Sequence, residues 1–592
     1  VVRPPAVRET PSCVFQLFDA AGASNHPMKR STLCGLVLRL SVPLFGAAIA
    51  VADGVASTAH PLASNTAEEI FELGGNAADA AIAVSLVLSV VEPTLSGVGG
   101  RAQALVRTPG GEYHGYNGMT EIPAVFKVDE QAAAYGYTTI ATPGLVALLE
   151  AIHKAHGSLP IEKLVEPAQK FASTGIRLLP GEAARQASVA PVIRQDPGMA
   201  AIFLDSEERA FSAGALLQQP ALATTLSRLA ESGLASFYQG HIAEMISRDV
   251  QANGGFITRN DLSKYRILPG NHIAYRYRDH TVHTLAAPGG GGLVVRALSL
   301  LQLFEMEALS DASWAMLVNQ ALGLAIRSMG DDYYEKDMGP VLDGRWAKNH
   351  SAAIHHPVEL ESTYNFKQTS GIRSLTDDRE FAPQNGSNRQ DDGHTSHFSI
   401  HDCTGMTVSL TQTLGPIFGA KVATAELGIV YAATMGRYLR TGRNIPGERP
   451  RTSIAPVIVT SNNRVVMTLG AAGGIRIPSA IVQVISRVID RGMSLEKAIA
   501  APRVHPMSTI DEQNVRHVHL RGMEVDRTGN GWPRRVIRRW RSSEFDINEI
   551  RENGRFGRVY ALEGLGERIE GFADPDGEGA SSPAVTCSVG KA

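Results

Sequence analysis

Between Asn76 and Pro93 the chain reads "NAADAAIAVSLVLSVVEP", apolar or small at almost every position. With no polar face to turn to water, this stretch predicts a helix buried inside a layered structure rather than one lying on a surface. Before it, "GVASTAHPLAS" from Gly54 reads as a strand, and "NTAEEIFELGG" as a helix capped by Asn65 and ended by Gly74. After it, "SGVGGRAQALVRT" reads as a strand joined through the turn "PGGE" to "YHGYNGM", a hairpin. Residues 144–270 alternate helical patterns with turns and predict a helical lobe. "VHTLAAPGGGGLVVRALSLLQLFE" reads as strand, glycine loop, helix.

The second half changes period. A polar stretch over roughly 362–394, rich in Asp, Asn, Gly and Arg, has little apolar periodicity, and so long a loop inside a compact domain calls for a functional reason. "SHFSIHD" and "MTVSLTQT" then alternate apolar and polar positions on either side of "CTG". "PVIVTSNNRVVMTLGAAGG" predicts a second hairpin turning at "SNNR", and "IRIPSAIVQVISRVIDRG" an amphipathic helix. Hairpins preceded and followed by helices predict sheets packed face to face and covered by helices.

Composition bounds the class. The 592 residues are 44% hydrophobic and 19% charged, which fits two large lobes or one elaborated domain. A net charge of −3 gives no reason to expect nucleic acid as a partner. The basic run Arg534–Arg541 reads as a solvated helix face balanced by the acids that follow it. Cys13, Cys34, Cys403 and Cys587 lie far apart, with no CxxC pair and no dense disulfide framework. Residues 1–53 read as irregular. Within them Met28–Gly54 resembles a signal peptide, with Lys29 and Arg30 before an apolar run and a small-residue site at Ala50–Ala52. Arg39 interrupts the run and 27 residues precede Met28, so periplasmic or secreted and cytoplasmic locations both stay open.

Chemistry concentrates at "DDGHTSHFS". Asp391, Asp392, His394 and His397 are metal-ligand types, but an extended chain sends residues three apart to opposite faces, so a chelate is not expected. "SLEK" at Ser494–Lys497 lacks the partner motifs of a serine–lysine site and opens a helix, where Ser494 reads as an N-cap. The glycine run from Gly289 lacks the Lys-Ser/Thr of a phosphate loop and reads as a tight turn. Thr395 remains. A threonine hydroxyl needs a base, and if Thr395 became a chain terminus its own α-amine, with a pKa of about 7.7–8.0, would serve. The same hydroxyl could first attack the His394 carbonyl, shift the acyl group from N to O and let water complete the cut. "GAAGG" at Gly470–Gly474 would then offer unhindered amides at a helix N-terminus to an oxyanion.

Eight segments, in order, resemble the γ-glutamyltransferase family of N-terminal-nucleophile hydrolases: "GGNAADAAIAVSLVLSVVEPTLSGVGG", "ATPGLVALLEA", "FYQGHIAEMI", "GGFITRNDLSKY", "TSHFS", "PGERPRTSIAPVIV", "LGAAGGIRI" and "AAPRVH". The resemblance runs from about Gly54 to the C-terminus and weakens after His505. It implies an α+β fold, a four-layer αββα sandwich with a helical lobe. It implies self-cleavage at His394–Thr395 into a large subunit, 54–394, and a small one, 395–592, that pair as a heterodimer. By resemblance Thr395 is the nucleophile, Thr413 its hydroxyl neighbour, Gly473 and Gly474 the oxyanion hole, and Thr452 and Ser453 the binders of the substrate carboxylate. No metal or organic cofactor is implied. The substrate would be a small amide, with water or an amine as acceptor, as in γ-glutamyl amide or glutathione hydrolysis and γ-glutamyl transfer.

The departures bear on substrate. Met119 stands where the family carries the arginine that grips the glutamate α-carboxylate. Gly436 and Arg437 stand at an acidic pair that holds the α-ammonium, Gly415 at an asparagine and Thr434 at another polar ligand. A substrate that keeps a carboxylate but lacks the α-amine is therefore expected, bound through Arg437 or Arg101. The alternatives are an amidase for a different carboxylate-bearing amide, as in branches that cleave oxamate or acylated β-lactams, and an unprocessed pseudoenzyme that only binds.

Overall fold

The computed structural model describes residues 53–127, 133–328, 337–354, 394–436, 445–510, 516–529, 531–565 and 567–587. Arg437, the polar loop before His394, the signal-like segment up to residue 52, Cys13 and Cys34 lie outside the described residues.

Two seven-stranded antiparallel sheets carry the fold. The first orders its strands Ala580–Ser581, Gly54–Thr58, His394–Asp402, Thr407–Gly415, Arg101–Arg107, Tyr113–Gly118 and Leu268–Pro269. The second orders Val585–Thr586, Arg568–Ala573, Arg558–Leu565, Arg464–Ala472, Val457–Ser461, His280–Leu285 and His272–Tyr277. Strand alternation assigns each face a layer. Phe398, Ile400, Val408, Leu410, Ala102, Ala104 and Val106 share a core with the helix Ala77–Val91, which is buried along its whole length. Val457, Val459, Leu469, Ala471, Val559 and Ala561 pack instead with the helices Gly291–Leu301, Asp311–Arg327 and Ile477–Arg491. Leu105, Leu285 and Ile458 meet between the sheets. The result is the four-layer αββα sandwich.

The helices between Leu145 and Lys264 bury Leu148, Leu149, Leu164, Leu226 and Ile246 in the same core as the first sheet. The hairpin turn at Asn462–Asn463 takes φ of 49° and 61°, which asparagine tolerates. Among the described residues no helix is long and apolar enough to cross a membrane.

Two local expectations, both about helix caps, need correction. The strand from Gly54 stops at Thr58 and a helix begins at Pro61, so Asn65 lies inside that helix. Pro61 sets the helical φ at the first position, and His60 Nδ1, accepting from Leu62 N at 3.1 Å, is the cap that Asn65 was expected to be. The ending is as expected: after the C-cap Leu73, Gly74 takes a φ of 82°, and Gly74 N and Gly75 N donate to Phe71 O at 2.8 Å and Ile70 O at 2.9 Å. Ser494 sits at an N-cap position, yet its side chain accepts no capping bond. Cys403 and Cys587 form a disulfide across 184 residues, which cysteine spacing did not foreshadow.

Candidate active site

The strand that opens at His394 divides its side chains between layers. Ser396, Phe398 and Ile400 face the helices: Ser396 Oγ donates to Glu92 at 2.6 Å, and the other two join the helix-side core. Thr395, His397 and Ser399 face the second sheet. There the His397 ring occupies the space a side chain at Gly470 would need, and Ser399 Oγ donates to Tyr560 O at 3.1 Å. His394 and His397 therefore lie on opposite sides of the strand. His397 holds Thr411 Oγ1 and Ser399 Oγ at its two nitrogens, and burial lowers its pKa to about 3, so it is a neutral structural ring.

Thr395 is nearly inaccessible, at 3% exposure, and a β-bulge aims a neighbour at it. Gln412 pairs with Ser396 and Gly415 with His394, so Thr413 and Leu414 together oppose the single residue Thr395. The extra residue delivers Thr413 Oγ1 to a junction of three contacts. It accepts from Thr395 Oγ1 at 3.3 Å and from Gly415 N at 2.8 Å, and it donates to the His394 carbonyl at 2.6 Å. Thr413 polarises the carbonyl that Thr395 would have to attack.

Arg101 enters from the neighbouring strand. It pairs directly across the ladder from Thr413, is 9% exposed, and its Nη1 donates to Thr434 Oγ1 at 3.0 Å. Thr434 in turn meets Thr120 Oγ1 at 2.9 Å, one residue from Met119. The fold thus gathers Arg101, Thr434, Gly415 and the Met119 segment beside the Thr395–Thr413 pair. The Met119 side chain is fully buried. Near its backbone stands an arginine that sequence reasoning passed over: Arg449 donates to Asn117 O at 2.7 Å and pairs with Glu121 at 3.1 Å. Glu121 neutralises it, so it is no replacement carboxylate anchor.

Gly473 and Gly474 follow the strand Arg464–Ala472 and lead through a short 3-10 turn into the helix Ile477–Arg491. Their φ values of 139° and 58° require glycine, and a Cβ on Gly473 would fall 2.8 Å from Gly557 Cα. They belong to the Thr395 end of the sandwich. Ala472 pairs with Arg558, whose charge acts on both His394 and Glu92. Thr452 and Ser453 arrive on a loop seated against the glycine run, where Gly290 N donates to Ile454 O at 2.6 Å and a side chain at Gly290 would strike Ser453. The run is a turn as far as Gly290, and Gly291 and Gly292 already open the helix Gly291–Leu301, so the expected tight turn holds for its first half only. A side chain on Gly289 would overlap Gln103, which lies two residues along from Arg101 on the same strand face.

The other functional candidates missed in the sequence are charges brought to His394. Burial first, then the charges of Arg558, Arg185 and Lys421, lower the His394 imidazole to about 3. Glu92, fully buried, is pushed up to about 7 by burial, against the pull of Arg185 at 3.9 Å and Arg558. Its sequence signal was a lone acid ending an apolar helix.

Comparison with known proteins places this geometry. The family model described as gamma-glutamyltranspeptidase matches residues 63–584. A glutathione hydrolase proenzyme of Pseudomonas sp. (strain A14) is 28% identical over 527 residues, covering 82% of this chain and 89% of its own. An acylase ACY 1 proenzyme of Pseudomonas sp. (strain V22) is 28% identical over 480 residues, covering 76% and 82%. The crystal structure of cephalosporin acylase from Bacillus halodurans superposes with a TM-score of 0.75 at 24% identity over 90% of this chain and 96% of its own, a likeness of fold. The chain belongs to the gamma-glutamyltranspeptidase family and is an enzyme of that family.

Proposed function

We propose that the chain is a self-processed amidohydrolase and acyltransferase with Thr395 as its nucleophile. The observation that carries this reading is the bulged Thr413, whose hydroxyl bridges Thr395 Oγ1 and the His394 carbonyl oxygen. In the precursor, Thr395 Oγ attacks the His394 carbonyl carbon while Thr413 donates to the developing oxyanion. Collapse breaks the His394–Thr395 C–N bond and leaves an ester, which water hydrolyses. The freed α-amine of Thr395 then takes the hydroxyl proton in each catalytic cycle, and the Gly473 and Gly474 amides receive the oxyanion of the substrate. The acyl-enzyme is released by water or by an amine, with no metal or cofactor in any step.

The two products stay together as a heterodimer. Residues 398–402 of the small subunit pair with Gly54–Thr58 of the large one, and Thr407–Gly415 pairs with Arg101–Arg107. Cleavage at 394–395 leaves both ladders whole.

Arg101 anchors a carboxylate of the acyl group. The uncharged Gly415, Thr434 and Met119 around it supply no counter-charge for an α-ammonium, which favours an amide that lacks the α-amine over a γ-glutamyl amide. The test is the intact mass of purified protein beside a Thr395→Ala control, followed by turnover of matched amides with and without the α-amine. Cleavage of the wild type alone at 394–395 is the expected result. Two uncut chains would overturn the reading and leave a binding protein in its place.

A further inference from the structure

Arg449 stands three residues before Thr452, and its side chain is almost fully buried. Burying a cation is costly unless its donors are matched. Here Nη1 donates to Asn117 O at 2.7 Å, while Nε and Nη2 donate to one Glu121 carboxylate oxygen at 3.3 and 3.1 Å. Nη2 also donates to Arg266 O. The Tyr265 ring lies against the guanidinium, its centroid 4.7 Å from Cζ, and its hydroxyl donates to Met119 O at 2.7 Å. Asn117 pairs with Leu268 at the edge of the first sheet, so one side chain closes the ends of two strands.

A buried ion pair adds little net stability, because the loss of water offsets the attraction. What so many fixed partners supply is geometry. The backbone repeats the link: Ile122 N donates to Glu448 O at 3.0 Å, and Gly447 N to Ile122 O at 2.9 Å. Segment 117–122 is thereby fastened to the loop that carries Thr452 and Ser453. The same segment is fastened to Arg101, because Thr120 Oγ1 meets Thr434 Oγ1 at 2.9 Å and Thr434 Oγ1 accepts from Arg101 at 3.0 Å. The glycine run holds the far side of the loop, where Thr452 N donates to Pro288 O at 2.9 Å. Only Pro450, with its fixed φ, and Arg451 lie between the two attachments, so the loop has little freedom.

Thr452 and Ser453 thus come from one element and Arg101 from another, and the Arg449–Glu121 pair sits in the bridge between them. We infer that Arg449, with Glu121, is a positioning residue: it fixes the separation between Arg101 and the Thr452–Ser453 pair, and so selects acyl groups whose carboxylate reaches both. This rests on the proposed roles of Thr395 and Arg101 and on the carboxylate-binding role expected of Thr452 and Ser453. Arg449 acts through these residues and not on the substrate, since its own donors are spent on Asn117, Glu121 and Arg266.

The test is hydrolysis, by processed protein, of glutaryl-p-nitroanilide and pentanoyl-p-nitroanilide, whose acyl groups are equal in length and differ by the terminal carboxylate. Wild type is expected to prefer the glutaryl amide. Arg449→Lys keeps the charge, but one nitrogen cannot serve Asn117, Arg266 and Glu121 together. It should raise KM for the glutaryl amide by about 10- to 100-fold with kcat within about twofold, as expected when a binding group is misplaced. Self-cleavage, and kcat/KM for the pentanoyl amide, should stay within about twofold of wild type, which a general structural defect would not allow. Added to Arg101→Met, the same substitution should cost little more, because the group it positions is gone. Glu121→Gln keeps the shape of the pair and should show the same selective pattern more weakly, so the inference can be judged even if the lysine variant folds poorly. Equal losses on both amides, or unchanged kinetics in both variants, would overturn the inference and leave self-cleavage, and with it the role of Thr395, intact. A wild type that cleaves itself but does not prefer the glutaryl amide would overturn the carboxylate reading and this inference together. Failure of the wild type to cleave itself would overturn the role of Thr395 as well.

Discussion

A methyl group placed on Gly415 would lie 3.4 Å from Arg101 Nη2, in the volume the guanidinium uses. The bare backbone and the cation belong together: a longer side chain at Gly415 would crowd Arg101, and the φ of 94° disfavours one in any case. Arg101→Met is expected to raise KM for carboxylate-bearing amides by about 10- to 100-fold while changing kcat/KM for uncharged amides by no more than about twofold. Gly415→Asn should act through the same group, so adding it to Arg101→Met costs little more. Steady-state kinetics on the four members of that double-mutant cycle decide it, and fully additive effects would separate the two residues.

Thr413 is expected to matter most before the enzyme exists as two chains. Thr413→Val keeps the shape of the side chain and removes the hydroxyl that holds the His394 carbonyl at 2.6 Å. Losing one donor to a developing oxyanion slows a reaction by about 10²–10³-fold. A time course of intact mass should show the Thr413→Val precursor persisting when the wild type has already split. Equal cleavage rates would remove Thr413 from the processing step.

What could be seen in the sequence is what depends on local period. The apolar run at Ala77–Val91, the alternation from His394 and the Asn-Asn turn each formed the expected element, because each is decided by neighbours within a few residues. Thr395 stood out in the sequence by elimination of other nucleophile motifs and by resemblance, not by period. The position of Arg101 could not: it depends on a strand register joining residues 312 apart, Thr413 and Arg101, and on the bulge beside it. The same holds for His60, whose imidazole caps a helix that begins earlier than the Asn65 signal suggested.

Buried histidines should make the protein acid-labile. His397 drops from 6.5 to about 3 because burial penalises its charged form. A folded pKa below the unfolded one means the unfolded chain takes up the proton first, so this contribution is present above pH 6.5 and is lost as pH falls toward 3. The slope is about 1.4 kcal/mol per pH unit for one fully buried ring. Glu92 runs the other way. Raised from 4.5 to about 7, it contributes fully below pH 4.5 and loses that contribution as pH rises through 7. Urea midpoints of the Thr395→Ala precursor, measured from pH 4.5 to 8, should therefore rise from the acid side and level off near neutrality. Repeating the series with Glu92→Gln added should steepen the rise between pH 4.5 and 7, because the opposing loss from Glu92 is gone.

The Cys403–Cys587 bond makes a prediction about how the two subunits are held. Cys403 lies in the turn joining the strands His394–Asp402 and Thr407–Gly415, and Cys587 directly follows the edge strand Val585–Thr586 of the second sheet. Both cysteines fall in 395–592, so under the proposed cut at 394–395 the bond would lie within the small subunit and not tie it to the large one. Processed protein should accordingly separate into two bands in denaturing gels without reductant. The small fragment alone should gain two thiols on reduction, counted by alkylation and mass. Native association should survive reductant, because it rests on the shared ladders of the first sheet. Stability should still fall: closing a loop of this length is worth about 2–5 kcal/mol, so Cys403→Ser should lower the urea midpoint while both fragments remain together. A single band without reductant that resolves into two with it would mean the cysteines pair across the cut instead.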